Sequence, residues 1–192
     1  LDLVAGRFLQ TNKLYLNDGT SVNGGFNTAG TDIGYSDGPY EIEERRGRTF
    51  SVVLGDVDGD GDLDLVAGND GQRNYLYLNS GSGDFFDTAG TKIGNDYDRT
   101  LSVVLGDVNG DGWLDLVAGS FGNAEHPDTN KLYLNNGSGV LGIPYTPGTD
   151  ISSEIDYTRS VVLGDVNGDG HLDLVTGNGG NGSVGLANKL YL

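Results

Sequence analysis

A nine-residue pattern rich in aspartate occurs three times and contains the side chains best suited to chemistry. It reads Asp-Val-(Asp/Asn)-Gly-Asp-Gly-x-Leu-Asp and spans residues 56–64, 107–115 and 165–173. Alternate positions carry carboxylate or amide oxygens, and the glycines between them allow the backbone to curl. Hard cations such as calcium bind six to eight oxygens at about 2.3–2.6 Å, which a short acidic loop can provide. The pattern therefore predicts three calcium sites, one in each loop.

Five positions of each loop are predicted to ligate the ion. The side chains at positions 1, 3 and 5 converge on one centre, position 7 offers its backbone carbonyl, and position 9 closes the shell. Position 7 is Asp62, Trp113 or His171, and such variation is expected of a residue that ligates through its backbone. The predicted ligands are Asp56, Asp58, Asp60, Asp62 and Asp64; Asp107, Asn109, Asp111, Trp113 and Asp115; and Asp165, Asn167, Asp169, His171 and Asp173.

The donor atoms indicate which metal to expect. Ligation by oxygen alone disfavours zinc and copper, and magnesium would need a stricter octahedron. The loop differs from an EF-hand, which needs a glutamate at position 12, where this chain has Ala67, Ala118 or Thr176. The first loop, with five aspartates, is predicted to bind calcium most tightly. The alternative is that the loops are hairpin turns without metal.

The loops belong to a longer repeat. Leu-Asp-Leu-Val begins at residues 1, 63, 114 and 172, and Leu-Tyr-Leu begins at residues 14, 76, 132 and 190. The unit that contains the first loop has three short apolar runs, 51–57, 63–67 and 75–78, which indicate buried strands. A weaker fourth run, 84–93, suits an outer edge strand. No apolar run has the period of a helix, so almost no helix is expected.

Four short strands per repeat predict an all-β fold of tandem four-stranded blades of the β-propeller type. The chain is interpreted as one repeat domain, 1–192, with partial units at 1–47 and 157–192 and complete units at 48–98 and 99–156. About three and a half repeats would form an incomplete ring or a ring completed by another copy of the chain. An open linear array of the same units is the alternative. Because residue 1 lies within a unit, the sequence is expected to be a piece of a longer polypeptide.

Composition narrows the classes of function. The net charge is −17, and the three loops hold 11 of the 28 acidic residues. With only 11 Lys and Arg, the chain is not expected to bind nucleic acid. There is no Cys for thiolate metal sites, and no apolar run reaches the length of a membrane span. His126 and His171 are interpreted as solvated loop residues, so no enzyme activity is expected.

The run from Ser-Val-Val-Leu-Gly through the acidic loop to Leu-Val-Ala-Gly resembles the FG-GAP/VCBS repeat, known from the integrin α-subunit propeller and from secreted bacterial proteins. The resemblance covers essentially the whole chain and implies a β-propeller whose calcium-binding loops join the first two strands of a blade. It also implies a secreted or cell-surface module for adhesion, with a protein or glycan ligand. Two alternatives are a structural subunit that self-associates into an extracellular filament or array, and a non-catalytic accessory region of a larger secreted protein.

Overall fold

The computed structural model describes residues 3–7, 12–16, 30–33, 48–81, 90–122, 125–142, 146–155, 157–180 and 186–192. Within these ranges the chain forms fourteen strands and no helix, which confirms the expected all-β fold. The strands are β1 (Leu3–Ala5), β2 (Asn12–Tyr15), β3 (Thr31–Ile33), β4 (Thr49–Gly55), β5 (Asp64–Asn69), β6 (Asn74–Tyr77), β7 (Thr91–Ile93), β8 (Thr100–Gly106), β9 (Asp115–Ser120), β10 (Lys131–Tyr133), β11 (Thr149–Asp150), β12 (Thr158–Gly164), β13 (Asp173–Asn178) and β14 (Lys189–Tyr191).

The strands form four separate antiparallel sheets. β1–β3 and β12–β14 form three-stranded sheets, and β4–β7 and β8–β11 form four-stranded sheets. Strands that follow one another in sequence are neighbours in every sheet, so each sheet is a meander. Among the described strands, no sheet closes into a barrel. Tandem β-blades in an open arrangement are thus confirmed, with four strands in each of the two complete units, whereas the exact unit boundaries remain a prediction.

In the unit that contains the first loop, the limits of β4, β5 and β6 differ from the expected ones by one or two residues at each end, and β7 also differs. β4 ends at Gly55 and not at residue 57, because the chain enters the acidic loop at Asp56. The fourth strand of this unit, β7, spans only Thr91–Ile93, and residues 84–89 of the predicted run lie outside the described residues. In addition, the pairing of β4 with β5 has an irregularity between Thr49 and Ser51.

Apolar side chains between neighbouring sheets form the core. β4 packs against β8, and β8 packs against β12, so the first strands of these three successive units lie together. β5 and β9 are buried along their whole length, as expected of apolar runs that are covered on both faces. Val57 and Val66 of one unit share a core cluster with Leu116 of the next. The three acidic loops extend from the ends of these packed first strands, β4, β8 and β12.

Candidate metal centres

Each acidic loop connects the first two strands of a sheet. The pairing of β4 with β5 ends at Gly55 and Asp64, and that of β8 with β9 ends at Gly106 and Asp115. The third loop lies in the equivalent place between β12 and β13. The paired strands therefore hold both ends of every loop side by side, and the residues between them can wrap around a common centre.

The aspartate at position 1 organises the backbone of the loop. Asp56 Oδ1 accepts a hydrogen bond from the N–H of Gly59 at 2.8 Å, and its Oδ2 accepts one from the N–H of Gly61 at 3.1 Å. These glycines have φ angles of 79° and 94°, which other residues rarely adopt. Asp107 and Asp165 make the same two bonds in their own loops.

Positions 3 and 5 continue this local pattern. Asp58 Oδ1 accepts a hydrogen bond from the N–H of Asp60 at 3.2 Å, and Asp60 Oδ1 accepts one from the N–H of Asp62 at 2.9 Å. The second and third loops repeat both bonds, with Asn109 and Asn167 at position 3. The three loops therefore share one set of hydrogen bonds between side-chain oxygens and backbone N–H groups.

The aspartate at position 9 lies in the core. Asp64 is fully buried, and its two oxygens accept hydrogen bonds from the N–H groups of Val57 at 2.8 Å and Asn79 at 2.9 Å. Burial raises the pKa of Asp64, and the N–H groups of Asn79 and Val57 oppose this rise. Asp115 and Asp173 are buried at the same position. Besides its predicted role as a ligand, position 9 therefore joins the loop to the residues after the third strand in the first two loops.

Three carboxylates of the first loop converge on one point. Oxygen atoms of Asp56, Asp58 and Asp64 all lie within 4.8 Å of one another. A hard cation with ligand distances of about 2.3–2.6 Å can contact all three oxygens from a position between them. The structure thus brings together three of the five residues that were predicted to ligate an ion in this loop.

The other two predicted ligands of the first loop, Asp60 and Asp62, do not belong to this group. The carboxylate of Asp62 lies against Gly81, so its predicted contribution remains the backbone carbonyl. At the same position of the other loops, Trp113 is half-buried and His171 is exposed. Position 7 therefore carries a carboxylate, an indole and an imidazole in the three loops, and such variation suits a residue that would ligate through its backbone.

The second and third loops have an amide in place of one carboxylate. Asn109 Nδ2 donates a hydrogen bond to Asp111 Oδ2 at 2.9 Å, and Asn167 Nδ2 donates one to Asp169 Oδ2 at 3.0 Å. The described ranges contain no second group of three carboxylate or imidazole side chains as close together as in the first loop. Backbone N–H groups, above all that of Gly170, lower the pKa of Asp165. In these two loops, the shared hydrogen bonds, and not a group of three carboxylates, therefore favour an ion site.

The donor set of the loops fits a hard divalent cation. Carboxylate, amide and carbonyl oxygens suit calcium better than zinc or copper. Among the residues that the structure describes, no Lys or Arg forms an ion pair with a loop carboxylate. Within the described ranges, the converging carboxylates of the first loop therefore have backbone N–H groups as partners but no cationic side chain.

Two asparagines that are hydrogen-bonded to the loops were not among the residues predicted from the sequence. Asn79 donates its backbone N–H to Asp64, as described above. Asn135, at the same place in the next unit, donates from Nδ2 to the carbonyl oxygens of Val57 at 2.8 Å and Leu114 at 3.2 Å. It thereby connects the loop of one unit to the loop of the next. A signal was present, because asparagine follows Leu-Tyr-Leu at positions 17, 79 and 135.

Two further expectations concern catalysis and membranes. His126 and His171 are both exposed, as expected of solvated loop residues. That the chain has no enzyme activity remains a prediction. Within the described ranges, no helix has the length and apolar character needed to cross a bilayer.

Comparison with known families gives one clear match. A family model described as an FG-GAP-like repeat matches residues 56–118 and, in tandem, residues 119–176. The two matches together cover more than half of the chain. The first includes the first two acidic loops and the second includes the third, so the resemblance expected from the sequence is confirmed. A search of curated proteins finds no match.

Proposed function

Because this chain belongs to the FG-GAP-like repeat family, we propose that it is a calcium-binding β-repeat module whose three loops each hold one ion. In the first loop, Asp56, Asp58 and Asp64 supply carboxylate oxygens and Asp62 supplies its backbone carbonyl. Calcium supplies the positive charge that offsets the repulsion between these carboxylates. Because the loop connects two strands and is hydrogen-bonded to the end of a third, binding of the ion stabilises the whole sheet.

The observation that carries this proposal is the convergence of three carboxylates in the first loop, with oxygens within 4.8 Å of one another. Two like charges about 4 Å apart repel by about 4 kcal/mol at the effective dielectric typical of a protein surface. A bound divalent cation would offset this repulsion. The hydrogen bonds repeated in residues 107–115 and 165–173 support equivalent sites there, with one carboxylate fewer in each.

Isothermal titration calorimetry of the metal-free chain with calcium tests the proposal. We expect three ions per chain, the tightest in the first loop. Asp58→Ala should weaken binding to that loop by about tenfold or more, equivalent to about 1.4 kcal/mol. Asp62→Ala is the matched control and should have a much smaller effect, because its carboxylate lies against Gly81. Equal losses in both variants would contradict the assigned ligands, and no calcium uptake at millimolar concentrations would contradict the proposal itself.

We place the module outside cells, where it would present a binding surface for a protein or a glycan in adhesion. Extracellular calcium modules typically bind with a Kd of about 10⁻⁴–10⁻³ M, so the loops would be filled outside cells and empty in the cytosol. A glycan array and a pull-down from extracellular extract, each with calcium and with chelator, test this role. Ligands retained only with calcium would support it, and no calcium-dependent ligand in either experiment would oppose it.

A second role, as a repeating subunit of an extracellular array, is favoured by one exposed sheet face. Val162 and Leu190 on the β12–β14 sheet are 54% and 51% exposed, and Val166 in the adjoining loop is 56% exposed. Val57 and Leu76, the counterparts of Val166 and Leu190, are 0% and 1% exposed, because the β8–β11 sheet covers them. The exposed face therefore fits another sheet of the same kind.

Analytical ultracentrifugation of the full chain distinguishes the two roles. Concentration-dependent assembly that Val162→Glu abolishes would support the array. Tyr97→Glu, at a residue that is 51% exposed and lies outside the β12–β14 sheet, is the control. A monomer at all concentrations, with a calcium-dependent ligand, would support the adhesion module instead.

A further inference from the structure

The only tryptophan of the chain connects two acidic loops. Trp113 occupies position 7 of the second loop, and its indole ring lies between Gly59 of the first loop and Gly137. A Cβ placed on either glycine would lie 2.6 Å from a ring atom, well inside the separation of about 3.5–4.0 Å that carbon atoms prefer. The ring therefore fits only because both positions are glycine. It packs directly on the backbone of the neighbouring loop.

Two further contacts from the same unit cover the first loop. A Cβ placed on Gly139 would lie 2.7 Å from the Cβ of Asp58, so the two residues are in close contact. Asn135 Nδ2 donates a hydrogen bond to the carbonyl oxygen of Val57 at 2.8 Å. The N–H of Val57 is bonded in turn to Asp64. The second unit therefore contacts the first loop next to two of its three converging carboxylates.

The third loop makes no equivalent contact with the second. His171 occupies position 7 of the third loop and is exposed. A Cβ placed on Gly110, the second-loop counterpart of Gly59, would meet no described atom within 4 Å. The same three-loop pattern thus contains one loop pair that is joined by an indole ring and one pair that is not.

We propose that Trp113 is a positioning residue for the ion of the first loop, and that it couples the calcium affinities of the first and second loops. The inference rests on the proposed calcium binding. Trp113 is predicted to ligate the ion of the second loop through its carbonyl, and its N–H donates to Asp111 Oδ1 at 3.0 Å. An ion in the second loop therefore fixes the backbone of Trp113 and, with it, the ring that supports the first loop. The second and third loops bind their ions without this coupling.

Calorimetry on single-loop variants tests the positioning role. Asp107→Ala with Asp165→Ala leaves only the first loop intact, and its calcium affinity is measured with Trp113 and with Trp113→His, the residue of the third loop. We expect binding about five- to tenfold weaker in the histidine variant, a typical size for coupling between sites. The third loop alone, isolated by Asp56→Ala with Asp107→Ala, should be unaffected by Trp113→His. Unchanged affinity of the first loop would overturn the inference and leave calcium binding intact.

Restoring the second loop tests the coupling itself. The first-loop affinity should be about fivefold higher when residue 107 is again aspartate, and this gain should disappear in the Trp113→His background. Restoring Asp165 in place of Asp107 should give no gain. Equal gains from both loops would overturn the coupling through Trp113.

Fluorescence of the native tryptophan provides a test that leaves the ring unaltered. Calcium should shift the emission of Trp113 in the chain with only the first loop intact and leave it unchanged in the chain with only the third. No shift in the first, or equal shifts in both, would overturn the inference. If calorimetry shows no calcium binding by the unsubstituted chain, the proposed function fails together with the inference.

Discussion

Two regions of the molecule gather carboxylates, and they differ in how the negative charge is offset. One is the first acidic loop, 56–64, where three carboxylates converge without a cationic side chain among the described residues. The other, the lysine cluster, consists of Asp96, Asp98, Lys131 and Asp150. Lys131 Nζ lies 2.6 Å from Asp150 Oδ1, 3.6 Å from Asp96 Oδ1 and 4.0 Å from Asp98 Oδ2. The chain thus supplies its own cation in the cluster, whereas we propose that the loop takes its cation from solution.

Burial explains why the cluster contains a lysine. The side chains of Asp96, Asp98 and Lys131 are only 9%, 18% and 12% exposed. Burial raises the pKa of Asp98 to about 7; Lys131 opposes this rise, and the neighbouring carboxylates of Asp96, Asp128 and Asp150 add to it. A hydrogen bond from Lys131 lowers the pKa of Asp150. One ammonium group therefore compensates the negative charge of the cluster only in part, and burial still disfavours the charged form of Asp98.

Removal of calcium should produce the largest effect, because it acts on the loops of all three units. An ion present at 100 times its Kd contributes about 2.7 kcal/mol per site, and 1 kcal/mol shifts the Tm of a chain of this size by about 2–4 °C. We therefore expect EDTA to lower the Tm by about 10 °C or more in differential scanning calorimetry. Magnesium at equal concentration should restore little of this loss. A Tm that EDTA leaves unchanged would show that the loops need no external cation.

Lys131→Met should produce the next largest effect, because it removes the only cation of the lysine cluster among the described residues. Loss of one partner from a buried ion pair typically costs about 3–5 kcal/mol, which chemical denaturation would detect. Lys189→Met is the matched control, since Lys189 pairs with the exposed Glu154 at 2.6 Å and such surface pairs contribute little to stability. The loss should be the same with and without calcium. Similar losses of unfolding free energy in both variants would show that burial of the lysine cluster contributes little to the effect of the substitution.

The sequence could predict the loops but not the lysine cluster, and the reason is distance along the chain. Every predicted ligand of the first loop lies within nine consecutive residues, and the bonds on Asp56 span only three and five positions. The apolar runs on either side of the loop predicted the strands, because each run is also a pattern of consecutive residues. Contacts between residues so close along the chain can be predicted from the spacing of the residues in the sequence.

The lysine cluster forms only after the sheets have packed. Asp96 and Asp98 precede β8, Lys131 lies in β10, and Asp150 lies in β11. Asp96 Oδ2 accepts hydrogen bonds from the O–H of Tyr133 at 2.8 Å and from a backbone N–H 52 residues away at 2.7 Å. The contact of Trp113 with the first loop likewise joins two units. Neither arrangement leaves a pattern in a single segment of sequence.

The pH dependence of Asp98→Asn tests the residual cost in the lysine cluster. The pKa of Asp98 is raised from 3.8 to about 7 in the folded state. The folded chain therefore holds this proton more tightly than the unfolded chain. As pH rises from 3.8 to about 7, Asp98 makes the folded state progressively less stable. Asp98→Asn should raise the Tm at pH 8, and the gain should disappear toward pH 4.

Asp150→Asn is the control of opposite sign. Lys131 lowers the pKa of Asp150 in the folded state, so its contribution is present at neutral pH and is lost as pH falls through the lowered pKa. This substitution should lower the Tm at pH 8 and have little effect at acidic pH. A Tm difference of the same sign for both variants at pH 8 would contradict the assigned roles in the cluster.

Asp58→Asn should have the smallest effect, and it tests whether the first loop can be made to depend less on an external cation. The substitution gives this loop the amide of the other two, where Asn109 donates to Asp111 at 2.9 Å. Without calcium, the variant should be more stable than the natural chain by about 0.5–1.5 kcal/mol, because one repulsion is replaced by a hydrogen bond. With calcium, the order should reverse, since an amide is a weaker ligand for a hard cation than a carboxylate. Asn109→Asp should show the opposite pair of changes. Thermal unfolding of both variants in EDTA and in calcium measures the sign of each change in stability. If a variant is more stable than the natural chain in both solutions, or less stable in both, the ion does not act by offsetting repulsion between the converging carboxylates.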